Sequence, residues 1–212
     1  MKLYTYFRSS ASYRVRIALA LKGLPHEADY VSLPKSEHQA DKYRAVNAQG
    51  LVPALEEAGH VLIQSLAIIE YLDERYPRPP LLPTDPIDRA YVRAVSQIIA
   101  CEMHPLNNLR TLKHLRKSYN LDEEGVNAWY RHWIAEGFRM LETYLERENR
   151  SGKYCYRDVV TMADCCLVPQ VFNAHRYNCD LKPYPTITRI CDECMKLDAF
   201  TSTQPSRQPD AA

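Results

Sequence analysis

Residues 2–23 read KLYTYFRSSASYRVRIALALKG, and this stretch predicts a strand, a turn and a helix in succession. Leu3–Phe7 is a short apolar run of the kind found in strands, and residues 13–22 carry apolar side chains at helical spacing. Gly23 stands where helices commonly end, because glycine tolerates the left-handed conformation that closes them. A strand followed directly by a helix is the first half of a mixed α and β architecture.

The turn inside this stretch combines hydroxyl groups with positive charge. Ser9, Ser10 and Ser12 stand at the predicted helix start, and Arg14 and Arg16 follow in the first turns. Hydroxyls are ordinary helix caps. Cations are unfavourable there, because a helix N-terminus already carries partial positive charge. We therefore expect an anion to bind at this helix start.

The next fifty residues continue the alternation of strands and helices. Their order, β-α-β-α-β-β-α, implies a small mixed sheet with helices packed on it. The predicted elements after the first helix are an extended segment over 26–33, a short helix over 39–46, a loop over 47–50, a hairpin from 52–56 and 61–63, and a helix over 64–75.

A change of composition separates this part from the rest. Five of the eleven residues from Tyr76 to Pro86 are proline, which interrupts helices and predicts a linker at 81–86. Beyond it only helical patterns occur, and the polar tail over 205–212 is predicted to be surface coil. The chain is thus predicted to be α+β, with a mixed domain at 1–80 and an all-helical domain at 87–212. The predicted helices of the second domain cover 87–118, 123–148, 161–178 and 184–197.

Charge and hydropathy narrow the class of protein. The net charge is +1 and the pI is near 7.6, so no global basic field indicates a nucleic-acid or membrane-surface partner. No apolar run approaches the roughly 20 residues that span a bilayer. MKLYTYFRSS lacks the apolar core and cleavage site of a signal peptide. We expect a soluble cytoplasmic protein that contacts neither nucleic acid nor membrane.

All seven cysteines lie beyond residue 100. An odd number without a secretion signal favours reduced thiols over a disulfide framework. Cys191 and Cys194 form a lone CxxC that lacks a second ligand pair for zinc and does not follow a strand. We expect these two to be ordinary helix residues, and we predict no metal site.

The whole pattern resembles the soluble glutathione transferases. It is most similar to the zeta class, which includes maleylacetoacetate isomerases and bacterial maleylpyruvate isomerases. The resemblance implies a thioredoxin-like first domain, an all-α second domain, glutathione as cofactor and a homodimer. One position departs from the family pattern: Ala11 stands where a cysteine commonly follows the paired serines, so no chemistry can use that thiol. The segments that carry the resemblance are SSASYRVRIAL (9–19), LVPAL (51–55), QSLAIIEYL (64–72), HPLNNL (104–109), TMAD (161–164), LVPQV (167–171), PYPTI (183–187) and RQPD (207–210).

The resemblance implies a catalytic role for the serines. A cofactor thiol must be ionised to attack, and a hydroxyl at a helix start can donate a hydrogen bond to sulfur. Together with the partial charge of the helix end, this lowers a thiol pKa by about one to two units. The role falls on Ser9 or Ser10, with Ser9 preferred, and Ser12 stays a cap or turn residue. Helix capping alone is the plain alternative for all three.

Five further residues are implied to bind glutathione in the first domain. Val52 would pair its main chain with the cysteinyl group, ahead of a cis Pro53; a trans proline at an edge strand is the alternative. Gln64 and Ser65 would hold the γ-glutamyl carboxylate, and Ser65 is also a good helix cap. His38 would pair with the glycyl carboxylate, and a surface histidine is the equal alternative.

The acceptor substrate is implied to be a dicarboxylate, which arginine binds well through its forked guanidinium. The candidates are Arg8, Arg110 and Arg176, and a solvated surface charge is the alternative for each. His104, Asn108 and Arg110 can share one face of the helix predicted over 87–118. His104 and Asn108 are assigned to the cofactor set. Arg14 and Arg16 are expected to support the scaffold.

The implied activity is cis–trans isomerisation of a maleyl keto acid. Glutathione thiolate adds to the cis double bond, the resulting single bond rotates, and elimination leaves the trans isomer. The sequence leaves open whether the substrate is maleylacetoacetate or maleylpyruvate. A transferase that conjugates glutathione to α-haloacids shares the same cofactor site and is a second hypothesis. A non-catalytic binding protein on this scaffold is the third.

Overall fold

A computed structural model describes residues 1–211 and contains one four-stranded sheet in the order β2-β1-β3-β4. β1 pairs parallel with β2 and antiparallel with β3, and β3 pairs antiparallel with β4. The predicted α+β class is confirmed, as is the order of the first seven elements. The strands are β1 (Lys2–Thr5), β2 (Glu27–Tyr30), β3 (Ala54–Glu57) and β4 (His60–Ile63).

Nine α-helices occur within the described residues. The helix predicted over 123–148 is observed with the same bounds, whereas the one predicted over 39–46 is reduced to a 3-10 turn, Glu37–Gln39, and a single α-helical turn. The helices are α1 (Ser10–Leu21), α2 (Asp41–Arg44), α3 (Ser65–Arg75), α4 (Pro86–Gln97), α5 (Leu109–Tyr119), α6 (Glu123–Glu148), α7 (Met162–Arg176), α8 (Pro185–Cys194) and α9 (Asp198–Thr201).

The chain forms two compact units. The first contains Met1–Leu82 and the residues from Met195 onward, and the second contains Pro83–Cys194. Residues 205–211 thus belong to the unit that contains the sheet, and their prediction as coil is wrong, although Ser206, Arg207 and Pro209 are exposed at the surface; Ala212 lies outside the described residues. Residues 205–211 form two 3-10 turns, Pro205 is buried, and Asp210 bonds to the backbone of the first unit.

The proline-rich segment is anchored by a buried ion pair. Lys22, at the end of α1, has a fully buried side chain whose Nζ donates to Asp73 Oδ1 and to the carbonyl of Pro79, both at 2.8 Å. The Asp73 carboxylate also accepts from the backbone N–H groups of Leu81 and Leu82, at 2.7 and 3.1 Å. Residues 77–85 contain no helix, α4 begins at Pro86, and these bonds hold the segment to α1 and α3.

The single helix predicted over 87–118 is wrong. α4 passes into a π-helical turn, Ile98–Met103, and Pro105 then begins a 3-10 turn, because its ring removes the N–H that would continue the helical ladder. Asn108 is extended, and its Oδ1 accepts from the N–H of Arg110 at 3.1 Å, which caps the start of α5. Apolar periodicity persists across this break, so the pattern alone does not reveal it.

Two buried carboxylates organise the second unit. Asp164 accepts hydrogen bonds from the N–H and hydroxyl of Thr161, at 2.8 and 3.0 Å, and from the N–H of Cys155 at 2.8 Å, as part of a capping box at the start of α7. Burial raises the pKa of the Asp164 carboxyl, whereas these hydrogen bonds lower it; burial is the larger effect. Glu142 of α6 accepts from two first-turn N–H groups of α8, at 2.6 and 3.0 Å.

The cysteines are all free, which confirms the prediction of reduced thiols. Cys191 and Cys194 are buried on α8, as expected of ordinary helix residues. Among residues 1–211, no group of three or more histidine, cysteine or acidic side chains is arranged to hold a metal ion. Across the same residues, every helix is too short or too polar to cross a membrane.

Candidate functional site

The register of the sheet brings three predicted site segments together. Tyr4 of β1 pairs with Ala54 of β3, which pairs in turn with Ile63 of β4. The end of β1, the beginning of β3 and the end of β4 therefore lie side by side. The turn after β1, the dipeptide Val52–Pro53 and the dipeptide Gln64–Ser65 are consequently neighbours at one end of the sheet.

The turn after β1, which we call the serine turn (residues 6–9), holds Ser9 at the start of α1. The N–H of Ser9 donates to the carbonyl of Tyr6 at 3.0 Å, and Ser9 Oγ accepts from the N–H of Ser12 at 3.2 Å. Ser9 is thus the N-cap, and the expectation that Ser12 caps or turns the chain is wrong, because Ser12 is buried inside the first turn. An accepting hydroxyl still has its hydrogen to donate, so capping leaves Ser9 able to bond to a thiolate.

Ser10 and Arg8 flank this cap in different environments. Ser10 is the first helical residue and is 6% exposed, whereas Ser9 is half-buried. Arg8 is exposed, with its guanidinium 5.0 Å from the ring centre of Phe7. Solvent can reach Ser9 and Arg8 more readily than Ser10, which favours Ser9 as the residue that meets a bound thiol.

Arg16 supports the serine turn from beneath, as expected of a scaffold residue. Its buried guanidinium donates to Thr5 Oγ1 at 3.1 Å, to the carbonyls of Tyr6 and Phe7 at 3.3 and 3.1 Å, and to that of Thr203 at 3.1 Å. Burial lowers the pKa of Arg16 to about 10, so the group stays protonated at neutral pH. The cation adds positive charge under the start of α1.

The peptide bond between Val52 and Pro53 is cis, which confirms that prediction. Both residues are buried, and the loop before them is fixed by its own hydrogen bonds. The carbonyl of Leu51 accepts from Asn47 Nδ2 at 2.7 Å and from the Tyr43 hydroxyl at 2.6 Å. The main chain of Val52 is therefore held in one position at the edge of β3.

His38 lies behind this loop and is only 7% exposed, so the alternative of a surface histidine is wrong. Gly50 packs against the same segment with a φ of +60°. A Cβ at Gly50 would stand 2.8 Å from the carbonyl oxygen of His38, which excludes any larger residue without a shift of the backbone. The 3-10 turn carrying His38 is thus fitted to the loop that leads to Val52.

The start of α3 differs from the sequence expectation. Gln64, not Ser65, is the N-cap, and its φ of +70° is unusual for a residue other than glycine. Gln64 Nε2 donates to Gln49 Oε1 at 3.0 Å, while Ser65 Oγ accepts from Arg14 Nη1 at 3.3 Å. The sequence reasoning missed both partners, Gln49 and Arg14, although Gln49 lies in the predicted loop over 47–50.

The donor groups at this end of the sheet suit the anionic ends of glutathione. The N-cap residue of α3, Gln64, makes no side-chain cap bond, and the first turns of both α1 and α3 lack acidic residues. First-turn N–H groups without a side-chain acceptor, next to a hydroxyl and a buried arginine, are chemically complementary to a carboxylate. The donors at Gln64 and Ser65 are of the kind that the predicted carboxylate site requires.

In the second unit, the three residues expected on one helix face are separated by the break before α5. His104 precedes the 3-10 turn, and its Nε2 lies 3.4 Å from Asn108 Nδ2. Asn108 uses its Oδ1 to cap α5, and Arg110 is exposed in the first turn of that helix. The prediction of a shared face on one continuous helix is thus wrong, although His104 and Asn108 do contact each other.

Arg176 is the last residue of α7 and is exposed. Its guanidinium lies 5.1 Å from the ring centre of Tyr177, which stacks on Tyr130 with ring centres 3.5 Å apart. Arg176, one of the predicted substrate arginines, also lines a concave part of its own unit. A surface cleft of about 230 Å³ is lined by Glu123, Asn127, Arg131, Arg176, Tyr177 and Asn178.

Comparison with known proteins identifies relatives along the entire chain. A family profile described as glutathione S-transferase, N-terminal domain, matches residues 3–80. A maleylpyruvate isomerase from Ralstonia is 50% identical over 212 residues, covering 100% of both chains. A maleylacetoacetate isomerase from Pseudomonas aeruginosa is 46% identical over 217 residues, covering 99% of this chain and 98% of its own.

Solved structures give the same result. A holo maleylpyruvate isomerase, described as a bacterial zeta-class glutathione S-transferase, superposes with a TM-score of 0.98 at 50% identity over both full chains. A maleylacetoacetate isomerase from Methylobacterium extorquens with bound malonate and glutathione gives 0.97 at 38% identity, also over both chains. A third, from Anaeromyxobacter dehalogenans, holds dicarboxyethyl glutathione and citrate and gives 0.87 at 41% identity, covering 100% of this chain and 97% of its own.

Proposed function

The chain belongs to the zeta-class glutathione transferases, among the maleylpyruvate and maleylacetoacetate isomerases, and on this premise we propose that it is a glutathione-dependent cis–trans isomerase of a maleyl keto acid. The observation that carries the proposal is the start of α1, where Ser9 caps a helix that has no acidic residue in its first turn and has Arg16 buried beneath it. That arrangement favours a bound anion.

The glutathione site is proposed to lie within residues 1–80. Bound glutathione would supply a thiolate that adds to the cis double bond, allows rotation about the resulting single bond and leaves unchanged when the trans double bond forms. Ser9 would donate its hydroxyl hydrogen to the sulfur, with Ser10 as the alternative donor. Val52, held ahead of the cis Pro53, would pair with the cysteinyl main chain.

The carboxylates of glutathione would be held at two places. Gln64 and Ser65 would take the γ-glutamyl carboxylate at the start of α3, with the Arg14 guanidinium bonded to the Ser65 hydroxyl. His38 would take the glycyl carboxylate, together with the residues that follow it in the 3-10 turn. His104 and Asn108 complete the proposed cofactor set from the second unit.

The acceptor substrate is proposed to bind mainly through residues 87–212. Arg110 and Arg176, with Arg8 from the serine turn, would hold its two carboxylates and stabilise negative charge on the carbonyl oxygen as the thiolate adds. The ligands of two relatives support this substrate class, because malonate and citrate are small polycarboxylates. Dicarboxyethyl glutathione, bound by one of them, has the composition of glutathione joined to a butenedioic acid.

We also propose that the protein works in the cytoplasm as a homodimer. Seven free cysteines are consistent with a reducing compartment. The dimer is implied by the resemblance to the family, and sedimentation of the purified protein at several concentrations tests it.

The function is tested by incubating the purified protein with glutathione and each candidate acid while recording ultraviolet spectra. We expect glutathione-dependent isomerisation of maleylacetoacetate, maleylpyruvate or both, without consumption of glutathione. Conjugation of α-haloacids with no isomerisation would instead favour a detoxifying transferase. Calorimetry that detects no glutathione binding would contradict both activities and favour a non-catalytic protein.

A further inference from the structure

The C-terminal tail reaches the backbone of the serine turn. Asp210 Oδ2 accepts a hydrogen bond from the N–H of Phe7 at 2.9 Å, between residues 203 positions apart in sequence. Phe7 is two residues before Ser9, whose hydroxyl is the proposed thiol donor. The second carboxylate oxygen, Asp210 Oδ1, is buried and has no hydrogen-bond partner among the described residues.

Arg16 binds the other side of the same residue. Its Nη2 donates to the carbonyl of Phe7 at 3.1 Å and its Nη1 to the carbonyl of Tyr6 at 3.3 Å. Its Nε donates at 3.1 Å to the carbonyl of Thr203, two residues before the tail. The N–H of Phe7 is thus held by a carboxylate and its carbonyl by a guanidinium. Both main-chain polar groups of Phe7 are therefore bonded to charged side chains. Hydrogen bonds to charged groups are stronger than those between neutral groups.

The negative charge of Asp210 also favours the charged form of the buried Arg16 guanidinium. Burial lowers the pKa of Arg16, and the negative charge of Asp210 is the foremost influence acting against that effect. The described hydrogen-bond acceptors of Arg16 are one hydroxyl and three backbone carbonyls, none of which carries a formal charge. Loss of the carboxylate would therefore weaken the hold of Arg16 as well as that of the Phe7 N–H.

We propose that Asp210 is a positioning residue for the serine turn, which it holds through the N–H of Phe7 so that the Ser9 hydroxyl stays directed at the cofactor thiol. This inference rests on the proposed function. It assigns the tail a role in cofactor activation that neither its polar composition nor its position at the chain end indicates. Small displacements of an activating group have large effects on rate, so even a partial release of the turn is measurable.

The test compares Asp210→Ala, Asp210→Asn and Gln208→Ala in the full chain. Asparagine retains an oxygen that can accept from Phe7, whereas alanine does not. Gln208→Ala is the matched control, because among the described residues its side chain donates only to the carbonyls of Ser202 and Gln204, away from the serine turn. The primary measurement is the ultraviolet absorbance of the glutathione thiolate in the binary complex as a function of pH, with isomerisation rates and thermal unfolding recorded alongside.

For Asp210→Ala we expect the bound thiol to ionise at higher pH than in the natural protein and kcat to fall about tenfold. Asp210→Asn should recover part of both quantities, because it keeps the acceptor for the Phe7 N–H but not the charge near Arg16, and Gln208→Ala should match the natural protein. A folded Asp210→Ala protein with an unchanged thiolate titration would overturn the inference. If Asp210→Ala does not fold, an Asp210→Asn protein that is folded yet lacks the thiolate signal would overturn it equally, since the acceptor oxygen is still present.

These outcomes are separable from failure of the proposed function. If the natural protein binds no glutathione, the proposed function is wrong and the inference falls with it. If the natural protein binds glutathione and isomerises its substrate but the alanine variant behaves identically, only the role of Asp210 is wrong.

Discussion

Arg14 of α1 donates to the hydroxyl of Ser65 of α3 at 3.3 Å, and both residues are buried. The two helices begin at the end of the sheet where β1 and β4 finish, and this contact joins the proposed thiol site to the proposed carboxylate site. Positive charge thus accumulates at the starts of both helices, and the N-cap residue of α3, Gln64, makes no side-chain cap bond.

Ser65→Ala should weaken glutathione binding without abolishing catalysis. The substitution removes one donor to the γ-glutamyl carboxylate and the acceptor of Arg14, and hydrogen bonds to charged groups contribute about 1.5–3 kcal/mol. We expect the Kd for glutathione to rise by one to two orders of magnitude while kcat at saturating glutathione changes little. Calorimetry measures the first and initial rates the second. Ser118→Ala on α5 is the control, and equal affinities for the two variants would refute the assignment.

Ser9→Ala should lose activity and also some stability. Its hydroxyl is both the proposed thiol donor and the cap of α1, and loss of such a cap costs about 0.5–2 kcal/mol. Ser9→Asp separates the two roles, because aspartate caps a helix but has no hydrogen to donate at neutral pH. We expect chemical unfolding to show Ser9→Asp close to the natural protein, and isomerisation to be strongly reduced in both variants. An active Ser9→Ala beside an inactive Ser10→Ala would move the catalytic role by one residue.

Arg176→Gln should raise KM for the maleyl substrate and leave the fold intact. The side chain is exposed, so its removal costs little stability, whereas loss of a charged hydrogen bond to a carboxylate lowers kcat/KM by about one to two orders of magnitude. Arg8→Gln and Arg110→Gln should lower kcat/KM to a similar extent. Arg139→Gln provides an exposed arginine outside the proposed site. Indistinguishable kcat/KM values for Arg176→Gln and Arg139→Gln would remove Arg176 from the substrate set.

Glu142→Ala should destabilise the second unit by about 1–3 kcal/mol. Its two carboxylate oxygens accept from the N–H groups of Thr186 and Ile187 at 2.6 and 3.0 Å, and alanine would leave those buried donors without an acceptor. Urea unfolding measures the change. Glu136→Ala on the same helix is the control, because Glu136 is paired at the surface with Arg139. Equal midpoints for both variants would show that the cap of α8 adds nothing.

Thiol labelling of the native protein should show one fast cysteine. Cys101 is exposed, whereas burial raises the pKa of Cys179 to about 11 and that of Cys191 to about 12. A raised pKa lowers the thiolate fraction at a given pH, so these thiols react slowly at pH 8. We expect Cys101→Ser to remove the fast phase observed with an aromatic disulfide reagent. In denaturant, all seven cysteines of the natural protein should react. A fast-reacting thiol that remains in folded Cys101→Ser would contradict the full or partial burial of the other six cysteines.

Much of the fold could be predicted from local patterns. The strand, the helix and the closing glycine of residues 2–23 follow from apolar spacing and chain flexibility. The bounds predicted for α6 agree with those observed, where Asp122 caps its start and Asn149, in the left-handed conformation, ends it. The break between α4 and α5 was not predicted. Pro105 and Asn108 interrupt the helical backbone there, while the apolar period continues past them.

The sequence by itself determined the residue types at the site: hydroxyls at one helix start, a Val-Pro dipeptide before a strand, and arginines for a dicarboxylate. Only the tertiary structure decided their arrangement. The pairing of Tyr4 with Ala54 and of Ala54 with Ile63 places three segments together that are distant along the chain. The contacts of Arg14 with Ser65 and of Phe7 with Asp210 likewise join residues 51 and 203 positions apart. Such contacts depend on how packed elements meet, and a local pattern carries no information about them.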